Sequence, residues 1–238
     1  MYKINPQNQN KIDSLKREFE ETREQIKYKF YDSKNALNTC SENSKNADKF
    51  IKKLFDLYTF SDSEVSENVC ICALGGYGRK HLAPFSDLDI LVVYRKKLDS
   101  ESVEKLIKFC IYPLWDLNLK VGYAVRNEEE TIGFSNKDHI IRTSMLDARI
   151  ICGSKIIFNQ IIRDYSKGVE TSGYNLLKDK ISERETKIFD LGYDYFRNEP
   201  NIKESSGSIR DINLIFWSLK IFKLYKKKKI NEKELLTN

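Results

Sequence analysis

Leu74 to Tyr94 reads LGGYGRKHLAPFSDLDILVVY, and this stretch decides the fold. A short, continuously apolar run, Val69 to Leu74, leads into Gly75-Gly76 and suits a buried strand. The spacing predicts a short helix over Tyr77 to Leu82 and a second strand over Asp87 to Tyr94, rich in β-branched residues. On a strand, residues two apart share a face. Asp87 and Asp89 therefore project side by side, while Leu88 and Ile90 point into a core. Two neighbouring carboxylates repel unless a cation lies between them. Mg²⁺ suits them, since it takes carboxylate oxygens together with substrate phosphates. Glycines directly after a strand let main chain approach a phosphate, and a helix start offers N–H groups to an anion. Arg79 and Lys80 follow one turn later. A phosphate cradle and a carboxylate pair on successive elements equip a site for metal-assisted phosphoryl-group transfer.

Outward from this unit, Ser100 to Trp115 reads as a helix capped by Asp99 or Ser100, and Leu119 to Arg126 as a third strand of alternating pattern. Upstream, apolar positions from Ile12 to Phe30 predict a helix over 11–38. A polar break over 38–45 follows, with Ser41 or Ser44 as N-cap, then a second helix to Tyr58 and a loop over 61–68. From Glu128 onward the pattern is helical, roughly 137–151, 154–165, 173–197 and 208–227, with a loop from Pro200 to Gly207. The expected class is α+β: a small mixed sheet flanked by N-terminal helices and a C-terminal helical segment. The expected divisions are 1–60, 61–135 and 136–238.

The segment resembles the DNA polymerase β-type nucleotidyltransferase superfamily, in which Gly-Gly or Gly-Ser precedes Asp-apolar-Asp by about ten residues. Here ten residues, 77–86, separate Gly76 from Asp87. More narrowly, GGYGRKHLAPFSDLDILVV is similar to the N-terminal region of the bacterial protein-PII uridylyltransferase/uridylyl-removing enzymes. Three further blocks resemble that family in order: LWDLNLKVGYAVRNEEE (114–130), SMLDARIICGS (144–154) and IKESSGSIRDINLIFW (202–217). The resemblance implies a polymerase β-like fold and transfer of UMP from UTP to a tyrosine of the PII signalling protein, with Mg²⁺. It implies Asp87 and Asp89 as catalytic metal ligands, and Gly75, Gly76, Arg79, Ser86 and Arg210 as nucleotide contacts. A protein adenylyltransferase, another small-acceptor transferase and a non-catalytic nucleotide-binding module stay open beside it.

The departures are specific. The superfamily usually supplies a third carboxylate from a later strand, yet Leu119 to Arg126 contains no acid and Lys120 occupies one of its positions. Asp116 is the nearest substitute. Family members are several times longer and add a hydrolase domain and effector-binding domains. With His81 and His139 as its two histidines, this chain is expected to lack uridylyl removal and effector sensing, and to be a fragment.

Bulk properties bound the rest. The net charge is +6 and the pI 8.9, but lysines alternate with nearly as many acids along helical stretches, so nucleic acid is not the expected partner. The basic run Lys226 to Lys229 is expected at a helix end, where it complements the helix terminus. No apolar stretch approaches the roughly 20 residues of a membrane span, and the polar N-terminus has no signal-peptide pattern, so a cytoplasmic protein is expected. The five cysteines, in no paired CxxC spacing, read as free buried thiols.

Overall fold

The computed structural model describes residues 6–60, 63–190, 199 and 201–235. It divides into two compact units, 1–131 with 147–161, and 132–146 with 162–238.

The first unit is built on a four-stranded sheet of order β3-β2-β1-β4. Its strands are β1 (Val69–Ala73), β2 (Leu88–Tyr94), β3 (Val121–Asn127) and β4 (Arg149–Gly153). β1 runs antiparallel to β2 and β4, and β2 runs parallel to β3. A parallel pair needs a long crossover, which α5 (Ser100–Cys110) and α6 (Tyr112–Asp116) supply. Asp99 caps α5 by accepting from the Ser102 N–H at 2.8 Å. Val69, Ile71, Ala73, Leu88, Ile90 and Val92 share one face and form a single core with helix residues such as Phe50, Leu54, Leu106 and Leu114. The sheet is mixed and the class α+β, as expected.

The N-terminal helices α1 (Pro6–Ser33) and α2 (Ala36–Thr59) belong to this same core. Phe19 packs on Phe50 with ring centroids 5.4 Å apart, and the Asn46 amide donates to the Phe19 carbonyl. The break between them lies at Lys34-Asn35, not over 38–45, and Asn35 is the N-cap, accepting from the Asn38 N–H at 3.0 Å. The polar positions 38–45 are helical because packing of α2 into the core overrides their preference for caps and turns; the buried Ser44 hydroxyl donates to the Cys40 carbonyl. Helix α3 (Ser63–Asn68) occupies most of the expected loop over 61–68.

β4 replaces the end of the helix expected over 137–151. A short run such as RIICG fits a buried strand or a helix equally by periodicity, and pairing with β1 settles it. β3 passes into α7 (Glu128–Lys137) through a reciprocal cap: Glu130 N–H donates to Asn127 Oδ1 and Asn127 N–H to Glu130 Oε2.

In the second unit, α8 (His139–Met145) meets the long α9 (Lys155–Asp190) through Tyr165, whose hydroxyl donates to the Arg142 carbonyl. The expected pair of helices, 154–165 and 173–197, corresponds to two helical stretches of α9 that meet at a kink, where Ser172 has non-helical backbone; positions 191–197 lie outside the described residues. Arg142 holds that kink, donating to the Gly168 carbonyl and the Ser172 hydroxyl. Arg184 of α9 joins Asp211 of α10 (Ile209–Leu235) and also donates to the Glu204 and Ser205 carbonyls, ordering the loop before α10. Lys226 to Lys229 fall inside α10 rather than at its end, and their side chains lie outside the described residues.

All five cysteines are free; Cys70, Cys72, Cys110 and Cys152 are buried and Cys40 is half-buried. Burial pushes the Cys110 and Cys152 thiols well up, and the hydrogen bond with Cys70, then burial, does the same for Cys72. Reactivity follows the exposed thiolate. In a thiol titration with an aromatic disulfide reagent, the native chain should yield no more than the Cys40 thiol quickly, and all five after denaturation. Fast release of several thiols from the native chain would contradict this packing.

Candidate active site

The glycine turn sits at the end of β1. Gly75 to Gly78 form α4, a single turn of four residues, shorter than the helix expected to Leu82. Lys80, in the left-handed region at φ 63°, closes the turn. With so short a helix the macrodipole is small; what the turn offers an anion is its leading main-chain N–H groups.

Asp89 lies on β2 directly beside this turn. The Leu74 N–H donates to the Asp89 carbonyl at 2.9 Å. Gly75 has φ +52°, a conformation that L side chains rarely adopt. A methyl group on it would lie 3.0 Å from Asp89 Oδ2, and one on Gly122 would lie 3.5 Å from Oδ1. Gly122 is the residue paired with Asp89 across the β2–β3 ladder. Glycines therefore flank both oxygens of the Asp89 carboxylate and leave it room for a ligand. Asp87 immediately precedes β2, and both aspartates are exposed while Leu88 and Ile90 are buried. Ser86 is exposed in the loop one residue before Asp87.

The residue opposite Asp89 being Gly122, β3 brings no acid to the pair. Asp116 ends α6 and pairs with Lys16 at 2.7 Å. Among the described residues no group of three or more His, Cys, Asp or Glu side chains is arranged to hold a metal. The donors that fit a hard cation such as Mg²⁺ are the two carboxylates, with the space left by Gly75 and Gly122.

Arg79 is engaged by Asp147, Nη1 to Oδ2 at 2.5 Å, and the Asp147 side chain is fully buried. The same segment grips the turn a second way. A methyl group on Gly78 would lie 2.1 Å from the Asp147 carbonyl oxygen and 3.0 Å from that of Ala73. Arg210 belongs to the second unit, where its Nε donates to Glu204 Oε1 at 3.0 Å. Its neighbour Asp211 accepts from Arg184 and from the Gly207 N–H, so this Arg-Asp pair is split between a half-exposed arginine and an anchoring carboxylate.

Residues 48–151 match the family described as nucleotidyltransferase domain, and residues 175–238 match the one described as GlnD PII-uridylyltransferase. The chain carries a nucleotidyltransferase domain, followed by a segment that matches the PII-uridylyltransferase family. Curated relatives agree. The chain is 36% identical over 178 residues to the bifunctional uridylyltransferase/uridylyl-removing enzyme of Phenylobacterium zucineum, covering 71% of this chain and 19% of that protein. It is 38% identical over 151 residues to the enzyme of the same name from Azospirillum brasilense, covering 63% and 16%. For the Rhodospirillum rubrum enzyme the values are 34% over 183 residues, 74% and 19%. The chain thus spans about a fifth of the length of the curated relatives it matches. A solved structure titled as a toxin-antitoxin with AMP-PNP aligns at 15% identity and a TM-score of 0.32, covering 58% of this chain and 96% of that one.

The nucleotidyltransferase domain includes residues that pattern reading left without a role: Asp48, Gly78, Gly122, Asp147 and Arg149. The block SMLDARIICGS was visible in the sequence, but its reading as a helix hid the contact of Asp147 and Arg149 with the glycine turn.

Proposed function

We propose that this chain transfers UMP from UTP to a tyrosine hydroxyl of a PII signalling protein. The observation that supports it most is the placing of the Asp89 carboxylate between Gly75 and Gly122, beside the turn that would receive the triphosphate. In this reading the tyrosine oxygen bonds to the α-phosphorus of UTP, the bond to the bridging oxygen breaks, and pyrophosphate leaves as the hydroxyl proton departs. Asp87 and Asp89 would hold Mg²⁺, which would supply neutralisation of triphosphate charge. The leading N–H groups of Gly75 and Gly76 receive phosphate oxygens, and Ser86 lies in the loop leading to Asp87. Arg79, oriented by Asp147, is the arginine assigned to the nucleotide in this unit. The names of the relatives support uridylyl transfer; the geometry supports nucleotidyl transfer as a class. An enzyme acting on PII works in the cytoplasm, and among the described residues no helix is long and apolar enough to cross a membrane.

The test is incubation of the chain with PII, Mg²⁺ and UTP labelled at the α-phosphate, with ATP, CTP and GTP in parallel. Label on PII from UTP is the expected result. Label from ATP instead would make the chain a protein adenylyltransferase. Absence of both label transfer and Mg²⁺-dependent UTP binding would refute the reading.

A further inference from the structure

The glycine turn is held from its back by a second cluster of side chains. Arg149, the first residue of β4, pairs with Asp48 of α2 through two bonds, Nη1 to Oδ2 at 2.7 Å and Nη2 to Oδ1 at 3.0 Å. The Tyr77 hydroxyl donates to the same Asp48 Oδ1 at 2.7 Å. Arg149 then turns its remaining donors on the turn itself: Nη2 reaches the Tyr77 carbonyl and Nε the Gly78 carbonyl, each at 3.3 Å. Its guanidinium carbon lies 5.5 Å from the centroid of the Tyr77 ring, over the ring face. Tyr77 is only 1% exposed. Burial, then the neighbouring Asp48 carboxylate, raises its hydroxyl well above the ordinary tyrosine value, so it stays a donor. Farther along α2's N-terminal half, the Asn43 amide donates to the Leu82 carbonyl at 3.3 Å and the Ser44 hydroxyl accepts from the Leu82 N–H at 3.4 Å. One helix thus fixes both the glycine turn and the loop that leads from it to Asp87.

We propose that Asp48, acting through Arg149 and Tyr77, is a positioning residue that sets the glycine turn for the triphosphate. Two features carry this. First, the arginine that Asp48 orients donates to the last two carbonyls of α4, adding to the Lys80 N–H at the Tyr77 carbonyl and reaching the Gly78 carbonyl from its side chain. A bidentate carboxylate fixes the plane of a guanidinium, so both bonds to the turn depend on Asp48. Second, Gly75 holds a left-handed conformation at the opposite end of the same four residues and faces Asp89. Glycine populates positive and negative φ about equally, so Gly75 has no preference of its own for this state and depends on its surroundings to hold it. Loss of the rear clamp lets Gly75 and Gly76 relax, and the N–H groups lose their alignment with the carboxylates. The inference rests on the turn being the triphosphate cradle.

The experiment measures Mg²⁺-dependent UTP binding by calorimetry for the wild-type chain, Asp48→Asn, Asp48→Glu and Tyr77→Phe, each also followed by thermal melting. Asp48→Asn keeps shape but loses the charge that orients Arg149. It should weaken UTP on the order of tenfold, the scale seen when an outer partner of a binding group is lost. Asp48→Glu should recover most of that affinity, which a general loss of stability would not predict. Equal UTP affinity in folded Asp48→Asn and wild type overturns the proposal, as does a loss that Asp48→Glu fails to recover. If Asp48→Asn does not fold, Tyr77→Phe decides: it removes one bond to Asp48, and wild-type affinity in that variant overturns the proposal. Failure of the wild-type chain to bind any nucleoside triphosphate would instead refute the functional reading above.

Discussion

Asp87→Asn with Asp89→Asn should abolish Mg²⁺-dependent transfer from UTP, lowering kcat/KM by roughly 10³-fold or more. That figure corresponds to about 4 kcal/mol at 1.36 kcal/mol per decade, within the several kcal/mol a bound metal supplies in charge stabilisation. The expected partner observation is an unchanged melting temperature. Both side chains are exposed, and the apolar residues that alternate with them, Leu88 and Ile90, keep their places in the core. Amides of the same shape remove a like-charge repulsion and leave packing intact, so stability should move by no more than about 0.5 kcal/mol. Pyrophosphate release in the presence of PII measures the first effect, and calorimetric melting the second. Transfer retained by the double variant would remove Asp87 and Asp89 from the catalytic centre. A fall in activity matched by a fall in melting temperature would assign them to the fold instead.

Gly78→Ala should be the most damaging single methyl in the glycine turn, and its damage should appear as lost stability. The added carbon would meet two main-chain oxygens, Asp147 at 2.1 Å and Ala73 at 3.0 Å. Neither can rotate away: Ala73 ends β1, and Asp147, with its buried ion pair to Arg79, sits two residues before β4. Overpacking of this kind costs about 3 kcal/mol. At 2–4 °C per kcal/mol for a chain of this size, the melting point should drop by roughly 6–12 °C. Urea unfolding should show a lower midpoint with unchanged slope. Gly75→Ala is the contrast. Its methyl would meet a side-chain oxygen, Asp89 Oδ2, at 3.0 Å, and a carboxylate can shift, which leaves the positive φ as its main cost, about 1–2 kcal/mol. That variant should lose nucleotide binding more than stability. A Gly78→Ala protein as stable as wild type would show that β1 and the Asp147 segment do not approach as described.

Much of the site was legible in the chain because its signals are local. The alternation Asp87-Leu88-Asp89-Ile90 places two acids on one face whatever the strand's neighbours, since the period of a strand is two. The apolar runs before Gly75 and after Ser86 mark buried strands by composition alone. Helix boundaries were less legible. Positions 38–45 are rich in residues that favour caps and turns, and packing of α2 against α1 and the sheet overrode that preference. RIICG is too short to declare itself, and only its register with Cys70 to Ala73 made it a strand.

The sequence by itself determined the carboxylate pair and the glycine turn beside it, because each depends on residues within one short stretch. The tertiary structure alone decided what surrounds them. Gly122 came opposite Asp89 through the pairing of strands more than 30 residues apart. Asp147 reached Arg79 across 68 positions, and Asp48 met Arg149 across 101. No local pattern encodes such partners: a charged residue's sequence neighbours do not reveal which distant charge will be buried against it when the sheet closes.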